Sequence, residues 1–168
     1  MGLFKKQKNH KNTADNAHGD VANDEFVLTM KRYSVGGMYN VGIPANWNFY
    51  NSDRFRAKTE DGKTQISITS WIISNPGTNE EVLKSMVLPL YDNFVTEGGY
   101  EPYDDFFINA NQISKSFKVD NETQYHLTLL NDVRGKNIVT SFIIRDIGKY
   151  DPEMRATLLC IANTMQFV

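Results

Sequence analysis

The sequence predicts an α+β fold, an antiparallel β-sheet flanked by two main helices. Three observations lead there. Strand-like runs between Tyr100 and Arg145 are joined by very short connections, and only antiparallel neighbours can be joined that way. The stretch from Val82 to Val95 has the apolar spacing of an amphipathic helix. The chain closes with a second such stretch opened by Asp151 and Pro152, a good N-cap and a good first helical residue. Strands, helix, strands, helix is the order of helices laid on an antiparallel sheet.

Taken in order, residues 1–23 are polar and without apolar period. Such a segment buries too little to offset its ordering entropy, so a disordered polar tail is expected there and one folded domain over 24–168. Phe26, Leu28 and Met30 alternate, which suits a strand or a short helix. Gly36 and Gly37 then bend the chain, and MYNVGIP reads as a short strand stopped by Pro44. DRFRAKTE and TQISITSWII form a hairpin around the turn signal DGK.

Thr78 and Glu81 have capping-box spacing, each side chain serving a backbone N–H that the first helical turn leaves orphaned. Val82, Leu83, Met86, Val87, Leu90, Tyr91, Phe94 and Val95 should form one stripe packed on the sheet. Pro89 interrupts it and should kink or restart the helix, since its ring removes a hydrogen bond and clashes one turn back. Gly98 and Gly99 end it. After a strand and a turn near NAN, Ile113, Phe117 and Val119 share one strand face. Tyr125, Leu127 and Leu129 then alternate with His126 and Thr128, and NDVRGK leads into NIVTSFIIRD. In the closing helix Met154, Leu158, Ile161 and Met165 lie on one side.

A chain of 168 residues, 40% hydrophobic and 23% charged, has enough core to fold without a metal or disulfide. The net charge of −2 is uneven: four lysines against two aspartates give the first twenty residues +2, leaving −4 elsewhere. That balance offers no general attraction to nucleic acid or an anionic membrane; Arg54, Arg56 and Lys58 form only a local basic cluster. Cys160 is the single cysteine, so an intrachain disulfide is excluded. No apolar run follows the N-terminal lysines, and Lys6 stands where a myristoylation signal wants Ser or Thr. The expectation is a cytoplasmic protein, by default.

The segment NVGIPANW, the charged hairpin RAKTEDGKTQISITS, the helix with LPLYDNF, the strands YHLTLLNDVRGKNIVTSFII and the closing amphipathic helix together resemble the Mog1/PsbP/DcrB-like superfamily. The resemblance covers roughly residues 35 to 167 and rests on element order and the loose motif IPANW, Ile43 to Trp47. It implies a twisted antiparallel sheet in an α-β-α sandwich. It also implies a non-enzymatic protein, since that superfamily holds mostly such proteins: a nuclear-import GTPase regulator, photosystem extrinsic subunits, bacterial chaperone-like adaptors and many of unknown function. A fold hosts many functions, and no branch's functional residues match here.

Chemistry is sparse. His126 stands alone on a strand, and zinc needs three or four convergent donors, so it reads as a surface or hydrogen-bonding residue. Cys160, beside the apolar side of the last helix, reads as a small buried hydrophobe. No nucleophile elbow, phosphate loop or His-Glu-x-x-His pattern occurs. Asp92, Glu97, Glu101, Asp104 and Asp105 are interleaved with Tyr91, Phe94, Tyr100, Tyr103, Phe106 and Phe107. They read as a solvated acidic edge around buried aromatics or, second, as a charged rim around a protein-binding patch. At VGIPANWNFY, Trp47 reads first as core and second as surface. Phe49 and Tyr50 point opposite ways if extended, so one of them is a surface candidate.

The surface candidates are therefore Trp47, Tyr50, Tyr100, Tyr103, Asp104 and Asp105, with no catalytic residue, metal ligand or cofactor expected. The leading reading is a non-enzymatic interaction module that takes an unidentified protein partner. A small-ligand domain is the alternative, its pocket between sheet and helix lined by Trp47, Trp71, Tyr91 and Tyr103. An enzyme using Asp104 and Asp105 ranks last. An exposed sheet edge leaves a homodimer open.

Overall fold

The computed structural model describes residues 28–50, 54–74 and 77–168. The tail expected over 1–23, and Phe26 of the first expected strand, lie outside them. Strands β1 (Met30–Val35) and β2 (Tyr39–Pro44) form a hairpin in register from Met30↔Pro44 to Val35↔Tyr39. Gly36 and Gly37 turn it at φ +57° and +68°, a region that costs a residue with a Cβ. Next come β3 (Asn48–Tyr50), β4 (Phe55–Lys58) and β5 (Thr64–Ile73). The β4–β5 hairpin closes at the expected Asp61–Gly62 turn, where Asp61 accepts from the Thr59 hydroxyl at 2.7 Å and the Lys63 N–H at 3.1 Å.

Helix α1 (Asn79–Val82) starts on the predicted capping box: Thr78 accepts the Glu81 N–H at 3.2 Å, and the Glu81 carboxylate accepts the Thr78 N–H at 2.9 Å. A π-helical segment, Leu83–Val87, follows, and then α2 (Leu88–Thr96). The Leu88 N–H reaches back five residues to the Leu83 carbonyl, just ahead of Pro89. The expected disturbance at the proline is thus a widened turn, which rotates the downstream stripe by about one residue. Val82, Leu83, Val87 and Tyr91 are buried, whereas Met86, Leu90 and Val95 are exposed. The expected single stripe is corrected accordingly: those three residues lie outside it. Gly99, at φ +67°, ends the helix, and the Tyr100 N–H caps the Phe94 carbonyl at 2.9 Å.

The remaining strands are β6 (Glu101–Pro102), β7 (Phe107–Asn109), β8 (Gln112–Val119), β9 (Glu122–Val133) and β10 (Lys136–Ile147). Helix α3 (Pro152–Asn163), with Asp151 accepting the Glu153 N–H at 2.9 Å, precedes β11 (Gln166–Phe167). Met165 thus falls beyond the helix in which the sequence places it. The antiparallel order is β3–β4–β5–β10–β9–β8–β6, with β7 on the same outer edge of β8 as β6. The fold is α+β with largely antiparallel sheet. The expectation of one sheet is corrected, because β1, β2 and β11 form a second, three-stranded one.

Two cores lie on the two faces of the large sheet. On one, Tyr125, Leu127, Phe142, Ile144, Ile66 and Ile68 meet Tyr39, Val41 and Ile43 of the small sheet and Leu158 and Ile161 of α3. Gly42 lets that helix end approach: its N–H donates to Thr164 Oγ1 at 2.6 Å, where a Cβ would meet the threonine side chain at 3.0 Å. On the other face, Val82, Leu83, Val87 and Tyr91 pack on Ile113, Phe117, Leu130 and Val139. A strand covered on both sides loses its polar alternation, which is why both members of the Tyr125–Thr128 alternation are buried.

Of the two readings of His126, surface or hydrogen-bonding, the second holds: it is buried and bonded. Its ring is 5.8, 5.3 and 5.2 Å from those of Tyr91, Phe94 and Phe117, and Nε2 lies 3.1 Å from Gln124 Oε1. As a neutral ring it donates that bond. Burial, and secondarily the charge of Arg145, pulls its pKa down to about 3. Cys160, expected inside, is exposed on α3.

Candidate functional site

The segment from Tyr100 to Phe107 wraps the outer edge of β8, and it divides the acidic–aromatic stretch between the two faces of the sheet. Tyr100 stays on the α2 side, half-buried, its ring stacked on Phe94 at 5.2 Å and 14°. Tyr103 and Asp105, on either side of a bend at Asp104, turn to the other side. The Tyr103 N–H donates to the Ser116 carbonyl at 3.0 Å, and its ring lies 5.0 Å from that of Tyr150.

Asp105 stands in for a strand. Its carboxylate accepts the Ser116 N–H at 2.9 Å and the Ser116 hydroxyl, and it pairs with Arg155 Nε of α3 at 3.5 Å. Arg155 Nη2 also donates to the Asp105 carbonyl at 3.2 Å. Only 8% of the Asp105 side chain is exposed. Together Tyr103, Asp104, Asp105, Tyr150 and Arg155 line an open hollow of about 470 Å³. Burial, reinforced by the Asp105 charge and opposed by Arg155, pushes the Tyr150 hydroxyl above its ordinary value. Beneath it Tyr125, its hydroxyl accepting the Asp151 N–H at 2.6 Å, is pushed up to about 12, chiefly by burial. The buried acid is fully engaged by donors, which makes the hollow a lock between α3 and the sheet edge.

Phe106 returns to the α2 side. It is 43% exposed, and Lys115 Nζ sits over its ring, 5.1 Å from the centroid. With Leu88, Tyr91, Asp92 and Val95 these two line a groove of about 280 Å³ between helix and sheet edge. Its floor is apolar, and one acid and one base stand on it. Phe107 beside it is 45% exposed.

The six sequence candidates therefore separate. Trp47 is core, 6% exposed, because Pro44 stops β2 and the Trp47 N–H closes a turn onto the Pro44 carbonyl at 2.9 Å. Its surface candidacy is corrected. Tyr50 is half-buried, donating to Gln65 Oε1 at 3.2 Å under Lys58 Nζ at 5.3 Å; its neighbour Phe49 is the exposed one. Tyr103, Asp104 and Asp105 come together, and Tyr100 lies across the sheet edge from them. The expected four-aromatic pocket does not assemble: Trp47 belongs to the α3-side core, and Trp71 and Tyr91 to the α2-side core. Phe106 was open to the argument applied to Phe49–Tyr50, since adjacent aromatics in an extended stretch face opposite ways. Lys115, Tyr150 and Arg155 had no local signal.

Among the described residues no three His, Cys, Asp or Glu side chains converge, and no helix is long and apolar enough to cross a membrane. No family model and no curated protein matches the chain. Among solved structures, it is similar to a crystal structure from Bacteroides thetaiotaomicron VPI-5482, with 11% identity and a TM-score of 0.49. The match covers 82% of this chain and 48% of that one, so this chain spans about half the solved chain's length. A likeness at that level carries nothing about function.

Proposed function

We propose that this chain is a non-enzymatic protein-interaction module, an adaptor or chaperone-like protein. Its docking surface is the groove between α2 and the outer edge of the large sheet. One observation carries the reading: Phe106 and Val95 stand exposed over an apolar floor, with Asp92 and Lys115 beside them. An apolar centre with a charged rim is the anatomy of an interface, and contiguous exposed apolar surface on a small protein marks a binding site more often than chance. The neighbouring hollow is a poor catalyst by the same reasoning, since its acid is spent on Ser116 and Arg155. Helices on both faces of an antiparallel sheet fit the Mog1/PsbP/DcrB-like arrangement that the sequence resembles, and that superfamily is the assignment we favour. The protein acts in the cytoplasm in this reading.

The test is an affinity capture from lysate of the source cells with wild type, Phe106→Ser and Phe49→Ser, each checked for folding by circular dichroism. A protein retained by wild type and Phe49→Ser but lost by Phe106→Ser supports the proposal. Identical profiles for all three contradict it.

A further inference from the structure

The structure holds a second cleft that the interaction surface does not use. It lies between the β1–β2 turn and strands β3, β4 and β5 and encloses about 330 Å³. Its walls include Val35, Phe49, Phe55 and Ile68. Phe49 belongs to a three-ring cluster, 5.6 Å from Tyr33 and 5.1 Å from Phe55, yet it remains 45% exposed, so ring surface is left for a guest to cover. Val35 and Ile68 belong to the core behind it. A cavity of this size with mainly apolar lining and few polar groups has the form of a small-molecule site.

The polar groups decide what kind of molecule. Among the described residues Arg54 is the one charged member of the lining, and it already has a partner, so recognition is not built on it. The selecting group is Ser70. Its hydroxyl donates to Thr140 Oγ1 at 3.0 Å, and a hydroxyl has a single proton to give. In the 2.7 Å contact with the Tyr39 hydroxyl, Ser70 Oγ is therefore the acceptor. Burial pushes the Tyr39 pKa up, which keeps the phenol protonated for that bond. Tyr39 and Thr140 are fully buried, and between them they fix the Ser70 hydroxyl. Such an oxygen accepts two hydrogen bonds. Tyr39 takes one; the second belongs to a residue that lines the cleft and is itself only part-buried. Apolar walls and one fixed acceptor match a neutral ring system with one donor, whereas a charged guest would be buried unpaired.

We propose that this cleft binds a small neutral aromatic molecule, its rings against Phe49 and Phe55 and its single N–H or O–H donated to Ser70 Oγ. The site shares no lining residue with the groove beside Phe106 and goes beyond the protein-docking reading.

The test titrates two matched probes into the full chain, followed by backbone amide shifts in NMR. Indole and benzothiophene share a two-ring shape, and only indole has a donor. Wild type should bind both saturably, with the shifts centred on Gly36, Phe55 and Ser70 of the lining. Ser70→Ala should weaken indole by about tenfold, the worth of one hydrogen bond, and leave benzothiophene unchanged. If Ser70→Ala does not fold, Ser70→Cys repeats the comparison with a weak acceptor of similar shape. Absence of saturable shifts overturns the proposal. So does a Ser70 substitution that affects both probes equally, or shifts centred on Phe106 and Lys115 instead.

Discussion

His126 should make this protein lose stability between neutral pH and pH 5, before its carboxylates titrate. The folded ring is held near a pKa of about 3 by burial among Tyr91, Phe94 and Phe117. In the unfolded chain it returns to about 6.5. Below that value the unfolded state binds a proton that the folded state refuses, so stability falls with pH. The loss grows by about 1.4 kcal/mol per pH unit and reaches about 2 kcal/mol at pH 5. Urea denaturation followed by tryptophan fluorescence, at pH 7 and pH 5, measures it in wild type and in His126→Gln. Glutamine keeps a donor for Gln124 but does not titrate, and its packing cost is the same at both pH values. The lowered carboxylates Asp61 and Glu81 contribute stability that is lost only nearer their own range, and equally in both proteins. Wild type should therefore lose about 2 kcal/mol more than the variant. Equal losses, within about 0.5 kcal/mol, would refute the reasoning, since a group buried without its charge must titrate on unfolding.

Two further outcomes follow from the packing. Trp47→Ala should destabilise by about 3–5 kcal/mol, the cost of emptying a buried aromatic site, read as a lower urea midpoint with unchanged slope. Asp105→Ala strands the Ser116 N–H and takes the carboxylate from Arg155, which keeps only its bond to the residue-105 carbonyl; with Arg155 part-exposed, the cost should be about 1–3 kcal/mol. Amide exchange should report it first at Ser116, before the interior of β9, because that loss frees the sheet edge and not the core.

Local rules carried much of this fold. The capping box at Thr78–Glu81, the Asp61–Gly62 hairpin and the Asp151–Pro152 helix start are satisfied by residues within a few positions of one another, so sequence spacing suffices to place them. The three-stranded sheet was illegible because β11 is a two-residue strand after a helix, with no period of its own. Pro89 signalled a disturbance, but whether the chain kinks or widens depends on what its neighbours must reach on the sheet. The widened turn is what leaves Met86, Leu90 and Val95 outside the buried stripe. The same limit governs the candidate site. Period-two alternation separates Asp105 from Phe106, but Arg155 and Lys115 come from elsewhere in the chain, and only tertiary packing brings them in. His126 takes the hydrogen-bonding alternative, inside rather than at the surface, and Cys160 comes out of the interior, for a comparable reason: a covered strand buries both of its faces, and a helix exposes whatever lies just off its apolar stripe.

The proposed function requires another protein to dock in the groove beside Phe106. The most direct measurement replaces Phe106, and separately Phe49, with the photoreactive p-benzoylphenylalanine in the source cell and maps what each captures on irradiation. A discrete crosslinked protein at position 106 and none at position 49 is the predicted result. No crosslink at 106, or the same products at both positions, would contradict it.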